Sequence, residues 1–171
     1  MDKPKTIKEY DYEERIFSGW LTVILGIATC VLFGVFIYQR LMGPVGTRPA
    51  PDLILLVVAL LLLFVTINFA TLTIRLTTQG ISVGYGIIRH RVDWSNVAEC
   101  YQDKASTVRY GGFGIRLGLV NGKWRLVYNT IGDPRVVVRK RYGKIQEFVF
   151  STRNPEGVMQ AIRERTGQRI G

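Results

Sequence analysis

Two stretches of the chain are apolar without alternation. Leu53 to Ile74, LILLVVALLLLFVTINFATLTI, holds 22 residues and no charge, and no polar stripe at helical spacing begins before Asn68. A soluble core helix of that length carries such a stripe. At about 1.5 Å per residue, 18–22 helical residues reach roughly 27–33 Å, the hydrocarbon thickness of a bilayer. Ile16 to Gln39 is also uncharged, and Trp20 and Tyr38 bracket its apolar centre as interfacial aromatics do. Between the two stretches, Arg40 to Asp52 carries Gly43, Pro44, Gly46, Pro49 and Pro51, which cannot continue a helix. The pattern predicts a transmembrane hairpin over 16–74, with helices at about 18–39 and 53–71 and a loop at 40–52. Gly26, Cys30 and Gly34 recur every four residues. Small residues at that spacing let helices approach closely in lipid, so they are assigned to packing against the second helix.

From Thr71 the period changes to two. Leu72, Ile74 and Leu76 alternate with Thr71, Thr73, Arg75 and Thr77, the mark of a half-buried strand. The helix is expected to run into this strand without a glycine- or serine-rich linker, holding the C-terminal domain at the membrane surface. Further alternation marks Ile81–Tyr85, Ile88–Trp94, Val97–Tyr101, Phe113–Leu119, Trp124–Thr130, 135–140 and 145–151. Gln79-Gly80 and Asn121-Gly122 read as tight turns, 106–112 as a loop, and Asp133-Pro134 as a break. Phe113, Ile115, Leu117 and Leu119 are expected on one buried face. The chain closes with a helix: Asn154 suits the N-cap and Pro155 the first turn, Glu156 complements the dipole, and Gly167 suits the end. Val158, Ala161, Ile162 and Arg165 share one face. The expected fold is an α+β membrane protein: a two-helix hairpin, then about seven short antiparallel strands and a capping helix over 72–171. Residues 1–15, mixed in charge, read as a cytoplasmic tail and not a signal peptide.

Charge then orients the reading. The chain of 171 residues has a formal net charge of +10, and residues 75–171 alone carry 17 basic against 7 acidic residues. An anionic partner suits that excess. On the side of the chain ends lie Lys3, Lys5, Lys8, Arg15, Arg75, Arg89 and Arg91, against Arg40 and Arg48 in the loop. The positive-inside rule therefore puts both termini in the cytoplasm, with the plasma (inner) membrane as the expected location. Five basic residues, Arg135, Arg139, Lys140, Arg141 and Lys144, surround Tyr142 on and around an expected hairpin. They are the candidate contacts for anionic headgroups or a partner, with Arg89 and Arg91 adding to them from another polar face. Alternatively the cluster is a solvated turn whose charges blunt a sheet edge.

Candidate chemistry is thin. Cys30 and Cys100 are not expected to bridge. His90 reads as a half-buried sheet residue, and with two scattered cysteines it forms no metal cluster. Gly111-Gly112-Phe113-Gly114 is glycine-rich but is followed by neither Gly-Lys-Ser/Thr nor a helix, so it fails as a phosphate cradle. Asp93, Glu99 and Asp103 are not spaced as a general acid–base pair. No cofactor is implied and catalysis is not expected. Nucleic acid is disfavoured, because no stacking aromatics stand on an exposed face.

The order of elements resembles the bacterial pleckstrin-homology-like domain family between about Leu72 and Gly167. The residues that carry the resemblance are Thr78-Gln79-Gly80-Ile81, Gly86 followed by Arg89, Val92-Asp93-Trp94-Ser95-Asn96-Val97, and the closing Asn154-Pro155-Glu156 helix. The resemblance implies two packed, strongly bent antiparallel sheets with the helix closing one end, anchored beside two spanning helices, and no catalysis. The expected role is a membrane-anchored adaptor that binds a protein partner or forms a homo-oligomer. Recognition of anionic lipid is the alternative, and an enzyme acting on lipid ranks below both.

Overall fold

A computed structural model describes residues 10–103, 114–120 and 122–167. The expected loop at 106–112, the glycine-rich run up to Phe113 and the turn residue Asn121 lie outside the described residues. The chain divides into two compact units, Phe17–Thr71 and the remainder. Among the described residues the fold is α+β, with three helices and two sheets.

The first unit is a helix pair. α1 spans Gly19–Met42 and α2 Asp52–Phe69, and both are long and apolar enough to cross a membrane. α1 ends at Gly43, whose φ of 101° opposes continuation. Gln39 closes the connection: its Nε2 donates to Ala50 O and Asp52 Oδ1, both at 3.1 Å, and its Oε1 accepts from Val45 N at 3.3 Å. Asp52 opens α2 in the first turn, where the helix dipole favours an acid. The buried positions on the pair are Thr29 on α1 and Ala59, Thr66 and Asn68 on α2. Thr29 and Thr66 bring their hydroxyls to 3.5 Å, yet each lies 2.7 Å from its own i−4 carbonyl. One hydroxyl has one proton, so this is a close approach more than a strong bond. The small-residue stripe does not pack as expected. Cys30 and Gly34 are not buried, and a Cβ on Gly26 or Gly34 would meet nothing within 4 Å. Thr29 lies one position before Cys30 and so on another face of α1.

The second unit holds two sheets. β1 (Tyr10–Phe17), β2 (Thr71–Thr77), β3 (Gly80–Tyr85) and β4 (Ile88–Asp93) form one in that order. β5 (Val97–Gln102), β6 (Gly114–Val120), β7 (Lys123–Asn129), β8 (Arg135–Lys140) and β9 (Glu147–Ser151) form the other, ordered β5-β8-β9-β7-β6. The described strands number nine: eight, β2 to β9, where about seven are expected, and β1 from the N-terminal segment; β7 pairs parallel with β9. β1 is the clearest departure, because its mixed charge predicts a tail. Glu14 explains its docking: the Thr152 hydroxyl donates to its carboxylate at 2.5 Å, Arg153 N at 2.7 Å and the Tyr12 hydroxyl at 2.9 Å. Arg75 on β2 pairs with Glu13 at 3.2 Å.

The sheets meet on aromatic faces. Tyr85 stacks on Tyr128 at 6.2 Å, His90 lies 4.8 Å from Phe148, and Phe148 touches both Tyr128 and Phe150 at 5.6 Å. Gly84 is required between β3 and β4, since a Cβ there would lie 2.6 Å from Arg89 Cα. α3 (Pro155–Thr166) takes the expected place. Asn154 Oδ1 accepts from Gly157 N at 3.0 Å, and Gly167 ends the helix at φ 68°. Val158 and Ile162 are fully buried.

Candidate functional site

Period two divides the basic segment 135–144 between opposite sides of the second sheet. Arg135, Val137 and Arg139 share the face away from the aromatic core. On that face lie Val120, Val127, Val137 and Val149, with Tyr101 against them. A line of charges is buried beside these valines. Arg135 Nε lies 3.0 Å from Asp103 Oδ2, and Arg125 lies 3.7 Å from the same carboxylate. Arg125 Nε then meets Glu147 Oε2 at 2.5 Å. Glu147 is 1% exposed and also receives the Tyr101 hydroxyl at 3.2 Å, Lys123 Nζ at 3.5 Å and Arg139 Nε at 3.9 Å. Arg139 reaches out to Glu99 at 3.1 Å. Burial, followed by the Glu147 charge, pushes the Tyr101 hydroxyl pKa up. Charges removed from water cost free energy unless paired, and these are paired within the protein. Arg135 therefore belongs to the scaffold, while Arg139, its side chain 42% exposed, ends the line at the surface.

Lys140 faces the other way, toward the aromatic core. Burial lowers its pKa. Burial also lowers that of His90, with the Lys140 charge as second cause. Only Arg141 and Lys144 of the five are left fully on the surface, beside Tyr142. Their segment is pinned. Asn96 Oδ1 accepts from Arg141 N at 3.1 Å and Tyr142 N at 3.0 Å, and Arg141 Nε donates to Val97 O at 3.1 Å.

Apolar side chains adjoin this segment. Gln146 N donates to Trp124 O at 3.0 Å, and Trp124 N donates to Gln146 Oε1 at 2.7 Å. Trp124 lies opposite Leu119, and Leu126 opposite Leu117. Trp124, Leu117 and Leu119 are 47%, 59% and 60% exposed. Alternation alone predicts a buried face for Leu117 and Leu119. β6 is the last of the described strands in its sheet. The basic turn and the apolar strip lie toward the same end of the second sheet, the turn beside β5 and the strip on β7 and β6.

Position along the strands matters. Leu72, at the start of β2, pairs with Tyr85, whose hydroxyl donates to Asn129 O at 2.8 Å. At the other end of β2, Trp94 Nε1 donates to Thr77 O at 3.0 Å, and the Asn96–Arg141 contacts lie directly beyond. β2 has seven residues, about 20 Å of strand. Arg141, Tyr142, Lys144 and Trp124 therefore belong to the end of the unit away from Leu72. Arg89 and Arg91 are exposed on β4. Arg89 pairs with Gly84 near the Leu72 end, so β4 does not bring these two to the 141–144 turn.

Among the described residues no three His, Cys, Asp or Glu side chains are grouped to hold a metal ion. Cys30 and Cys100 are free thiols. Burial pushes up the pKa of Cys100, and its Sγ lies 3.7 Å from Met159 O, so it is an inert packing residue. The arrangement suits binding by an outward surface on a rigid support. No family model, no curated protein and no solved structure matches this chain.

Proposed function

We propose that the protein is a non-catalytic adaptor anchored by α1 and α2 in the membrane, carrying a pleckstrin-homology-like module on the cytoplasmic side. The helices support the anchor: Ile27, Val31, Leu53, Leu61 and Ile67 are among the many large apolar side chains they leave outward, which lipid accommodates and water does not. The excess of Lys and Arg at the chain ends supports the cytoplasmic orientation.

What supports the adaptor reading is the set of exposed side chains toward one end of the second sheet: Leu117, Leu119, Trp124, Arg141, Tyr142 and Lys144. It combines exposed aromatic and aliphatic anchors with cations. It also lies at the end of β2 away from the residue that leaves α2. A partner with an acidic and apolar extended segment suits it, since β6 is the last of the described strands in its sheet. A second copy of the chain could supply that strand. Lipid recognition by the 135–144 segment is weaker, because Arg135 and Arg139 are committed to Asp103, Glu99 and Glu147.

The test is purification of the full chain from its native membrane, comparing wild type with Leu119→Asp and with Lys144→Glu. A stoichiometric protein, or a second copy, held by wild type and lost from both variants is the expected result. Equal recovery with all three would remove this surface from the account.

A further inference from the structure

We infer that the β3–β4 turn is an interfacial anchor, with Ile87 and Ile88 entering the headgroup boundary of the bilayer and Arg89 and Arg91 meeting anionic lipid phosphates. The inference rests on the reading that α1 and α2 cross a membrane. α2 ends at Phe69, and Leu72 lies three residues later. Three residues of extended chain reach about 10 Å at most. Leu72 is therefore held near the end of a bilayer-length helix by the covalent chain alone. Its strand partner is Tyr85, the last residue of β3. The turn begins at the next residue, with Gly86 at φ 49°, a left-handed conformation that glycine adopts without penalty.

The residues displayed by the turn are unusual for a surface facing water. Ile87 is 74% exposed and Ile88 45% exposed. Ile131, at 42% exposed, lies two residues past Asn129, whose carbonyl binds Tyr85. Three isoleucines at one end of a small domain form an apolar tip. Cations flank it. Arg89 is exposed, its Nε bonded to Gly86 O at 3.1 Å, and Arg91 lies on the same face of β4. Apolar side chains beside arginines match an anionic bilayer surface in both parts: the isoleucines fit the acyl boundary and the guanidiniums fit the phosphates. The opposite end, with Arg141 and Lys144, lies about 20 Å of strand from Leu72.

The inference predicts that position 87 is in lipid while position 142 is in water. The experiment uses the full chain with Trp20, Trp94 and Trp124 replaced by Phe, and one new tryptophan introduced as Ile87→Trp, Tyr142→Trp or Leu61→Trp. Leu61 and Tyr142 are each 60% exposed, so the three sites are comparably open. Each variant is placed in nanodiscs of brominated phosphatidylcholine containing phosphatidylglycerol, and bromine quenching of the indole is measured. The expected result is strong quenching at 61 and several-fold stronger quenching at 87 than at 142. Adding Arg89→Glu and Arg91→Glu should then lower the signal at 87 toward that at 142. Quenching at 61 with equal, weak signals at 87 and 142 overturns the anchor and leaves the membrane reading intact. No quenching at 61 overturns the membrane reading and the anchor with it. A signal at 87 indifferent to the charge reversals overturns the role given to the arginines.

Discussion

Arg135 and Lys144 stand nine positions apart in one basic run, and the protein uses them in opposite ways. Arg135 is 7% exposed and faces Asp103 across 3.0 Å. Lys144 stands outside on a turn held by Asn96. The difference comes from strand geometry. While β8 lasts, each residue turns to the face opposite its neighbour, and at Arg135 the outer face of this sheet is buried. Once β8 ends at Lys140, the chain is free to project outward. Density of charge in a sequence therefore says little about availability for binding. The strand boundary decides it.

Several changes can break or sharpen that contrast. The largest effect belongs to Glu147→Ala, which leaves Arg125 and Lys123 facing no carboxylate at that position. Removing one partner of a buried pair costs about 3–5 kcal/mol, so thermal unfolding of the full chain in detergent, monitored by near-ultraviolet circular dichroism, should shift down by many degrees. Lys144→Ala, by contrast, should leave unfolding unchanged. If the two variants melted alike, the inward–outward distinction would be wrong. Next comes Asn96→Ala. It removes the side-chain acceptor of Tyr142 N, while Arg141 N keeps the Asn96 backbone carbonyl at 2.9 Å; the loss, about 1 kcal/mol, should loosen the 141–144 turn. Faster hydrogen exchange at Tyr142, with protection elsewhere unchanged, is the expected readout.

A smaller effect tests how β1 is held. Burial, then Glu14, push the Tyr12 hydroxyl pKa from 10.0 to about 12. The neutral phenol is the form the fold favours, so its contribution is complete below pH 10 and is lost as pH rises toward 12. Wild type should therefore lose stability over that window by more than Tyr12→Phe does. Equal alkaline losses would detach Tyr12 from the docking of β1.

Much of this architecture is legible in the sequence. The uncharged stretches mark both long helices, because nothing but a continuous apolar run forms such a segment. Asn154, Pro155 and Gly167 mark α3 by local chemistry. Long-range pairing is not legible. β1 is fixed by Glu14 reaching Thr152 and Arg153, 138 and 139 positions away, a contact no local pattern announces. Glu147 alternates with Phe148, which says nothing of its partners, and its burial depends on Arg125, Lys123 and Tyr101 arriving from two other strands. Leu117 and Leu119 read as core because alternation reports a face, not whether another layer covers it. Gly26, Cys30 and Gly34 obey a real spacing, yet Thr29 and Thr66 hold the close approach between the helices.

The most direct test of a two-ended module places a photoreactive side chain at Leu119, or at Ile87, in the full chain within its native membrane. The account predicts one discrete protein adduct from position 119 and lipid adducts from position 87. Lipid adducts from 119, or protein adducts from 87 alone, would contradict it.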